Sequence, residues 1–183
     1  MATHISGSLS VSGIRSIQRQ LKQYKKRLVE KCAEFTEKLA LKGILVGEAY
    51  TGEFERYIIF SYETDPTRDG AKTVMYATNN GIIKSQWMTK DGVKEADVSP
   101  ILMAEFGSGL RANNPNAGKV SPQMGTGTFP GQTHAEDPEG WWYQTLDGEW
   151  HHSYGVTPTM PMLRAFNEIY DQVNSVAREV FGS

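Results

Sequence analysis

The sequence contains one cysteine and no long apolar run, and each of these features excludes classes of protein. Cys32 has no second thiol to pair with, so a disulfide framework or a cysteine-based metal cluster within one chain is excluded. A reducing compartment is therefore expected. No stretch approaches the roughly 18 consecutive apolar residues that a membrane-spanning helix needs. Residues 1–13 lack the basic segment followed by an apolar segment of a secretion signal, so we expect neither membrane insertion nor standard secretion.

The sequence also lacks an excess of positive charge. Nineteen Lys and Arg stand against 21 Asp and Glu, which gives a formal net charge of -2 at pH 7. Without an overall positive field a protein gains little from counterion release, so sequence-specific nucleic-acid binding is not expected. The 39% hydrophobic and 22% charged residues are typical of a globular protein, and 183 residues fit one domain.

Amphipathic helices are predicted at both ends of a single domain over 14–183, after a small, polar and flexible N-terminal arm over 1–13. Apolar residues at steps of three and four predict a long first helix ending at about Gly43. The residues of that apolar face are Ile14, Ile17, Leu21, Tyr24, Leu28, Cys32, Phe35 and Leu39. The polar side of this helix is basic, which favours a solvated face over a surface for an acidic partner. A second helix is predicted from Pro161 to the glycine at 182.

Between the helices the sequence favours antiparallel strands. Segments 57–62 and 73–77 are rich in β-branched and aromatic residues and flank turn formers at 65–70. Segment 82–88 fits either a strand or a short helix. Segments 141–145 and 149–153 flank an Asp-Gly turn and predict a further hairpin. We therefore predict an α+β fold, with both helices packed on a small, mainly antiparallel sheet and a long Gly/Pro-rich loop over 107–140.

Candidate chemistry is sparse. His134, His151 and His152, with Glu136 and Asp137, have side chains that suit zinc or iron. Adjacent histidines on a strand point to opposite faces, however, and no His-Glu-x-x-His motif exists, so hydrogen bonding within the hairpin is favoured. Neither a nucleophile elbow nor a phosphate-binding loop is recognisable. We expect no catalytic residue, no metal and no cofactor; the alternative is a small metal-dependent hydrolase using the three histidines.

Aromatic residues are concentrated beside the long loop. Five of them fall within 14 positions, namely Trp141, Trp142, Tyr143, Trp150 and Tyr154. Such residues build cores and also dominate interface hot spots. On alternating strands one set faces away from the other, so if one set packs inward the other is available to a partner subunit.

Four motifs in order resemble one family. These are Glu105-Phe106-Gly107-Ser108-Gly109, the loop 125–131, the Trp/Tyr-rich segments 141–144 and 148–151, and the proline-led segment 158–162. Together they resemble the tail-component, or tail-completion, family of long-tailed bacteriophages and prophages, over residues 14–181. Ser108 stands where the family often has threonine, and Met162-Leu163 where a Phe-Leu pair is common.

The resemblance implies a virion structural protein of the neck, made in the bacterial host cytoplasm and acting without catalysis or cofactor. Its partners would be copies of itself in a ring, monomeric when free, together with neighbouring head-connector and tail-terminator proteins. The implied partner-interface residues are Glu105, Phe106, Gly107, Gly109, Phe129, His134, Trp141, Trp142, Tyr143, Trp150, Pro161 and Met162. A minor head component and a host-directed interaction protein are further alternatives.

Overall fold

A computed structural model describes residues 5–108 and 139–182, apart from the side chain of Trp87. Most of the predicted loop over 107–140 lies outside the described residues, and so do the predicted interface residues Gly109, Phe129 and His134. The described elements confirm the α+β class. In chain order they are α1 (Val11–Ala49), a 3-10 helix (Gly52–Tyr57), β1 (Ile58–Thr67), β2 (Gly70–Asn79), β3 (Ile83–Thr89), β4 (Gly92–Val98), α2 (Pro100–Phe106), β5 (Trp141–Gln144), β6 (Trp150–Ser153) and α3 (Pro161–Phe181).

The strands form two sheets, where the sequence predicted one. Strands β1 and β2 pair as a two-stranded sheet, and the other four strands form a sheet in the order β4-β3-β5-β6. All pairs in the larger sheet are antiparallel, which agrees with the predicted strand direction. Segment 82–88, which fitted strand or helix, supplies β3. Strand β4 was not predicted, although Asp91-Gly92 before it is a turn signal and Gly92 has a φ of 112°.

Helix α1 is longer at both ends than predicted, so its first turn overlaps the predicted arm over 1–13. It begins at Val11, where the Ser10 hydroxyl accepts the N–H of Gly13 at 3.1 Å. It also continues through Gly43 to Ala49. A Cβ on Gly43 would lie 2.7 Å from Cδ1 of Ile169, so this glycine permits close packing within the helix and does not end it.

The described chain divides into two compact units. The first comprises residues up to Ile44, Ser61–Tyr76 and residues from Phe166 onward. Its core contains the buried residues Leu39, Val176 and Val180, against which Phe35 and Ile169 pack.

The second unit comprises Leu45–Phe60 and Ala77–Ala165. Its buried apolar residues include Phe54, Phe60 and Phe106. Helices α1 and α3 and the strands β1 and β2 contribute residues to both units, so the division does not correspond to a break between elements. The single domain over 14–183 stays a prediction.

Candidate interaction surface

Helix α2 ends in a buried carboxylate that binds the beginning of α3. Glu105 is 8% exposed, and its Oε2 and Oε1 accept the N–H groups of Met162 at 2.8 Å and Leu163 at 3.1 Å. The first N–H groups of a helix have no partner within the helix and carry partial positive charge, so a carboxylate is well suited to this position. Burial raises the pKa of the Glu105 carboxyl, and the two N–H donors partly oppose that rise.

The next two residues hold the chain segment that leads into α3. Ser108 and Val156 exchange backbone hydrogen bonds of 2.9 and 3.1 Å, and the Ser108 hydroxyl also accepts the N–H of Val156 at 2.9 Å. Gly107 has a φ of 67°, and a Cβ there would lie 2.7 Å from Cδ of Pro158. Both its conformation and the available space therefore require glycine.

These contacts form a clamp within the chain, which we define as residues 104–108 bound to residues 156–163. The backbone carbonyl of Ala104 adds bonds from the N–H groups of Thr159 at 2.9 Å and Met160 at 3.0 Å. Met160 has a φ of 57°, which is uncommon outside glycine and is accommodated here by the surrounding hydrogen bonds.

Five of the predicted interface residues therefore lie in or beside the clamp. Glu105, Phe106 and Pro161 are buried, Met162 is half-buried, and Gly107 is closely packed. The contacts within the chain account for the residue types of Glu105 and Gly107. Ser108, which was not among the predicted interface residues, is 6% exposed and belongs to the same clamp.

The aromatic hairpin presents some of its rings to solvent. In the β5–β6 register Trp142 pairs with His152 and Gln144 pairs with Trp150, so these four side chains share one face of the sheet. Trp142 is 64% exposed and Trp150 is 61% exposed. The ring of His152 lies 4.7 Å from that of Trp142 and 4.4 Å from that of Tyr154. We define this aromatic face as Trp142, Trp150, His152 and Tyr154.

Trp141 and Tyr143 lie on the opposite side of the hairpin. Both are half-buried, and the Tyr143 ring stacks on that of His151 at 5.7 Å. The sequence prediction that the aromatic residues divide into two sets is confirmed by this register. The exposed set contains Trp142 and Trp150, and the half-buried set contains Trp141 and Tyr143.

The histidines of the hairpin are separated by the same alternation. His151 and His152 occupy opposite faces, and each lies against an aromatic ring. Within residues 5–108 and 139–182 no group of three or more His, Cys, Asp or Glu side chains could hold a metal ion. His134, the third histidine of the alternative hydrolase, lies outside those residues.

The turn between β5 and β6 fixes the register of the aromatic face. The N–H of Thr145 donates to the carbonyl of Glu149 at 2.9 Å, and Gly148 has a φ of 90°. The Asp147 carboxylate accepts from the Thr145 hydroxyl and from the N–H of Glu149, and these bonds lower the pKa of Asp147 below its ordinary value of 3.8. The Asp-Gly signal therefore identified the turn, although the connection contains five residues.

The aromatic face continues onto the neighbouring strands. Gln144 pairs with Met88 of β3, and Met88 pairs with Val93 of β4, so both side chains lie on the same face as Trp142. Val93 is 55% exposed, and Leu146 in the turn is 57% exposed. The sequence prediction missed both residues, Val93 because β4 was not recognised. Aromatic and aliphatic side chains grouped on one exposed face are typical of an interaction surface.

The part of the chain that the structure describes contains no helix long and apolar enough to cross a membrane. Comparisons of the chain with family models, curated proteins and solved structures found no match.

Proposed function

We propose that this chain is a non-enzymatic structural protein of the head–tail connection of a long-tailed bacteriophage or prophage. It acts in neck assembly and tail completion by forming a ring with copies of itself and by binding neighbouring head-connector and tail-terminator proteins. The proposal rests on the four motifs that resemble the tail-completion family. It also rests on the exposed aromatic face, which is the kind of surface an assembly protein needs.

The observation that carries the assembly role is the exposure of Trp142 and Trp150. Burying a large apolar side chain contributes about 1.5–3 kcal/mol, and tryptophan is among the residues most enriched at interface hot spots. Trp142 and Trp150 lie on one sheet face and are both more than 60% exposed. A partner that covers them would therefore gain the free energy of burying both side chains.

The clamp supports this role by holding the chain next to the aromatic face. Val156, which is hydrogen-bonded to Ser108, lies three residues after the end of β6. At the start of β5, Gly140 has a φ of 70° and packs closely on the backbone of Ser153. A surface held in place before binding loses less conformational entropy on association than a flexible segment does.

The proposal is tested on purified phage particles from a producing culture. An antibody against this chain, used in gold-labelling electron microscopy, should mark one site per particle at the junction of head and tail. Labelling over the head would favour the minor head component, and absence of the chain from washed particles would contradict the proposal. Particles assembled with a Trp142→Thr/Trp150→Thr chain should fail to join heads to tails.

The alternative hydrolase is tested by a separate measurement on the purified chain. Stoichiometric bound zinc or iron, lost in a His134→Ala variant, would support that alternative. No geometry of the described residues favours it, because His151 and His152 lie on opposite faces of the hairpin.

A further inference from the structure

The N-terminal half of α1 carries an exposed apolar surface. Its members follow the helical repeat on one face and are between 40% and 49% exposed. We define this α1 stripe as Ile14, Leu21, Tyr24 and Leu28. Each of these side chains exposes apolar area to water. The stripe extends over about four turns of α1.

The α1 stripe continues a face that is already used for helix packing. Further along the same face, Phe35 and Leu39 pack on α3 in the core of the first unit. This cover ends near Lys31, whose ammonium donates to the carbonyl of Val180 at 2.7 Å, close to the last residue of α3. The α1 stripe therefore extends an established helix-packing face past the end of the helix that covers it.

The segment of α1 that carries the stripe is strongly basic, and one of its cations, Lys25, pairs with a carboxylate outside α1, that of Asp69 at 2.8 Å. Residues 11–31 contain seven Lys and Arg and one Glu, a formal net charge of +6, whereas the whole chain has -2. The remainder of the chain therefore carries -8. Two copies of the α1 stripe would repel each other, so pairing with the same surface of a second copy is disfavoured. A partner surface that is both apolar and acidic is favoured.

The aromatic face belongs to such a surface. Residues 139–154 contain three acidic residues, which are Glu139, Asp147 and Glu149. The same segment contains no Lys or Arg. Glu149 adjoins the exposed Trp150. Asp147 has a lowered pKa and is ionised at neutral pH. The exposed indole rings also attract cationic side chains through cation–π interactions.

We propose that the α1 stripe of one copy docks on the aromatic face of a second copy. The contact joins a basic apolar helix face to an acidic aromatic sheet face, so apolar burial and charge complementarity act together. Because the two surfaces differ, the contact is heterologous: each copy uses one surface toward one neighbour and the other surface toward the next. Such contacts close into a ring or continue as a filament. This inference rests on the self-assembly part of the proposed function.

The test uses two variants of the full chain that each lose one surface. Lys22→Glu/Arg27→Glu reverses charge beside the α1 stripe and leaves the aromatic face intact. Trp142→Thr/Trp150→Thr removes both indoles and keeps residues that favour strands. Sedimentation velocity and light scattering over a wide concentration range measure the association of each variant, with circular dichroism as the check on folding.

We expect the wild-type chain to self-associate as its concentration rises, and less so at high salt, since ions screen the charges. Each variant alone should associate at least about tenfold more weakly. An equimolar mixture should form a one-to-one dimer and nothing larger, because it restores one intact α1 stripe facing one intact aromatic face. A matched Lys72→Glu/Arg178→Glu variant makes the same change in charge at exposed positions outside both surfaces and should associate as the wild type does.

Three outcomes would overturn the inference. These are a wild-type chain that stays monomeric at every concentration, a surface variant that assembles as well as the wild type, and a mixture that remains monomeric. None of them decides the proposed function, which the labelling of phage particles tests independently. If the gold label is absent from phage particles and the mixture of variants still forms dimers, the proposed function is contradicted and this inference stands.

Discussion

Replacing Glu105 with alanine tests whether the clamp is a main source of stability. The substitution removes hydrogen bonds to the N–H groups of Met162 and Leu163. Each intramolecular hydrogen bond contributes about 1 kcal/mol, and a buried donor left without a partner costs about 1–3 kcal/mol. Loss of a helix cap costs about 0.5–2 kcal/mol, and these ranges overlap because they describe the same N–H groups. We therefore expect the free energy of unfolding to fall by about 2–4 kcal/mol.

Urea unfolding followed by circular dichroism measures this change. Hydrogen exchange at the amides of Met162 and Leu163 locates it, because loss of the clamp should expose the first turn of α3 before the rest of the helix. Glu53→Ala, at an exposed acidic residue, is the matched control and should stay within about 0.5 kcal/mol of the wild type. A Glu105→Ala chain that unfolds within that same margin would refute the reasoning.

The pH dependence of the same site has a defined sign. Burial raises the folded-state pKa of Glu105 above its ordinary value of 4.5, so the folded chain binds this proton more tightly than the unfolded chain. Its contribution is therefore fully present below about pH 4.5 and is lost as the pH rises through the folded-state pKa. Relative to Glu105→Gln, the stability of the wild type should decline over that interval. If the urea midpoint of the wild type stays constant or rises relative to that of Glu105→Gln as the pH increases, the assignment is contradicted.

Three other substitutions test packing and surface charge. Gly43→Ala places a methyl group 2.7 Å from Ile169, and we expect thermal unfolding to show a loss of about 1–3 kcal/mol, whereas a gain would mean that helix propensity prevails. Gly107→Ala forces a strained φ of 67° and a close approach to Pro158, so urea unfolding should show a loss of about 1–3 kcal/mol or more. Lys38 has a raised pKa because it donates to two exposed glutamates, and Lys38→Gln should lower the melting temperature slightly at low salt and not at high salt.

Much of the secondary structure followed from local patterns. The three- and four-residue spacing identified α1 and α3, and the turn formers at 146–148 identified the connection of the aromatic hairpin. The turn formers at 65–70 marked where the first hairpin reverses, but the predicted several-residue loop there was wrong, because β1 continues to Thr67 and β2 begins at Gly70. Local patterns failed where distant residues decide the outcome. Glycine is typical of a helix end, but Gly43 lies inside α1. Ile169, more than 100 positions later in the chain, occupies the space that a side chain at Gly43 would need.

Local patterns likewise predicted only part of the candidate site. Strand alternation separated Trp142 from Trp141, since neighbouring residues on a strand face opposite ways. The segment containing Glu105 and Gly107 was predicted to contact a partner, and that stays a prediction. The contacts that the structure describes for it are with residues 156–163 of the same chain. A pairing between segments about 50 residues apart leaves no periodic signal, so composition alone could not distinguish an internal clamp from an external surface.

The net charge of the chain conceals how its charge is distributed. A value of -2 excludes an overall positive field, and the basic side of α1 was interpreted as a solvated face. The same basic residues surround an apolar stripe that is 40–49% exposed, and solvation alone does not account for that. A segment with a formal charge of +6 in a nearly neutral chain supports the proposed contact between the α1 stripe and the acidic aromatic face of a different copy. Because association must first offset roughly 4–15 kcal/mol of lost translational and rotational freedom, we expect the proposed contact to leave dilute copies monomeric and to join them only at high local concentration.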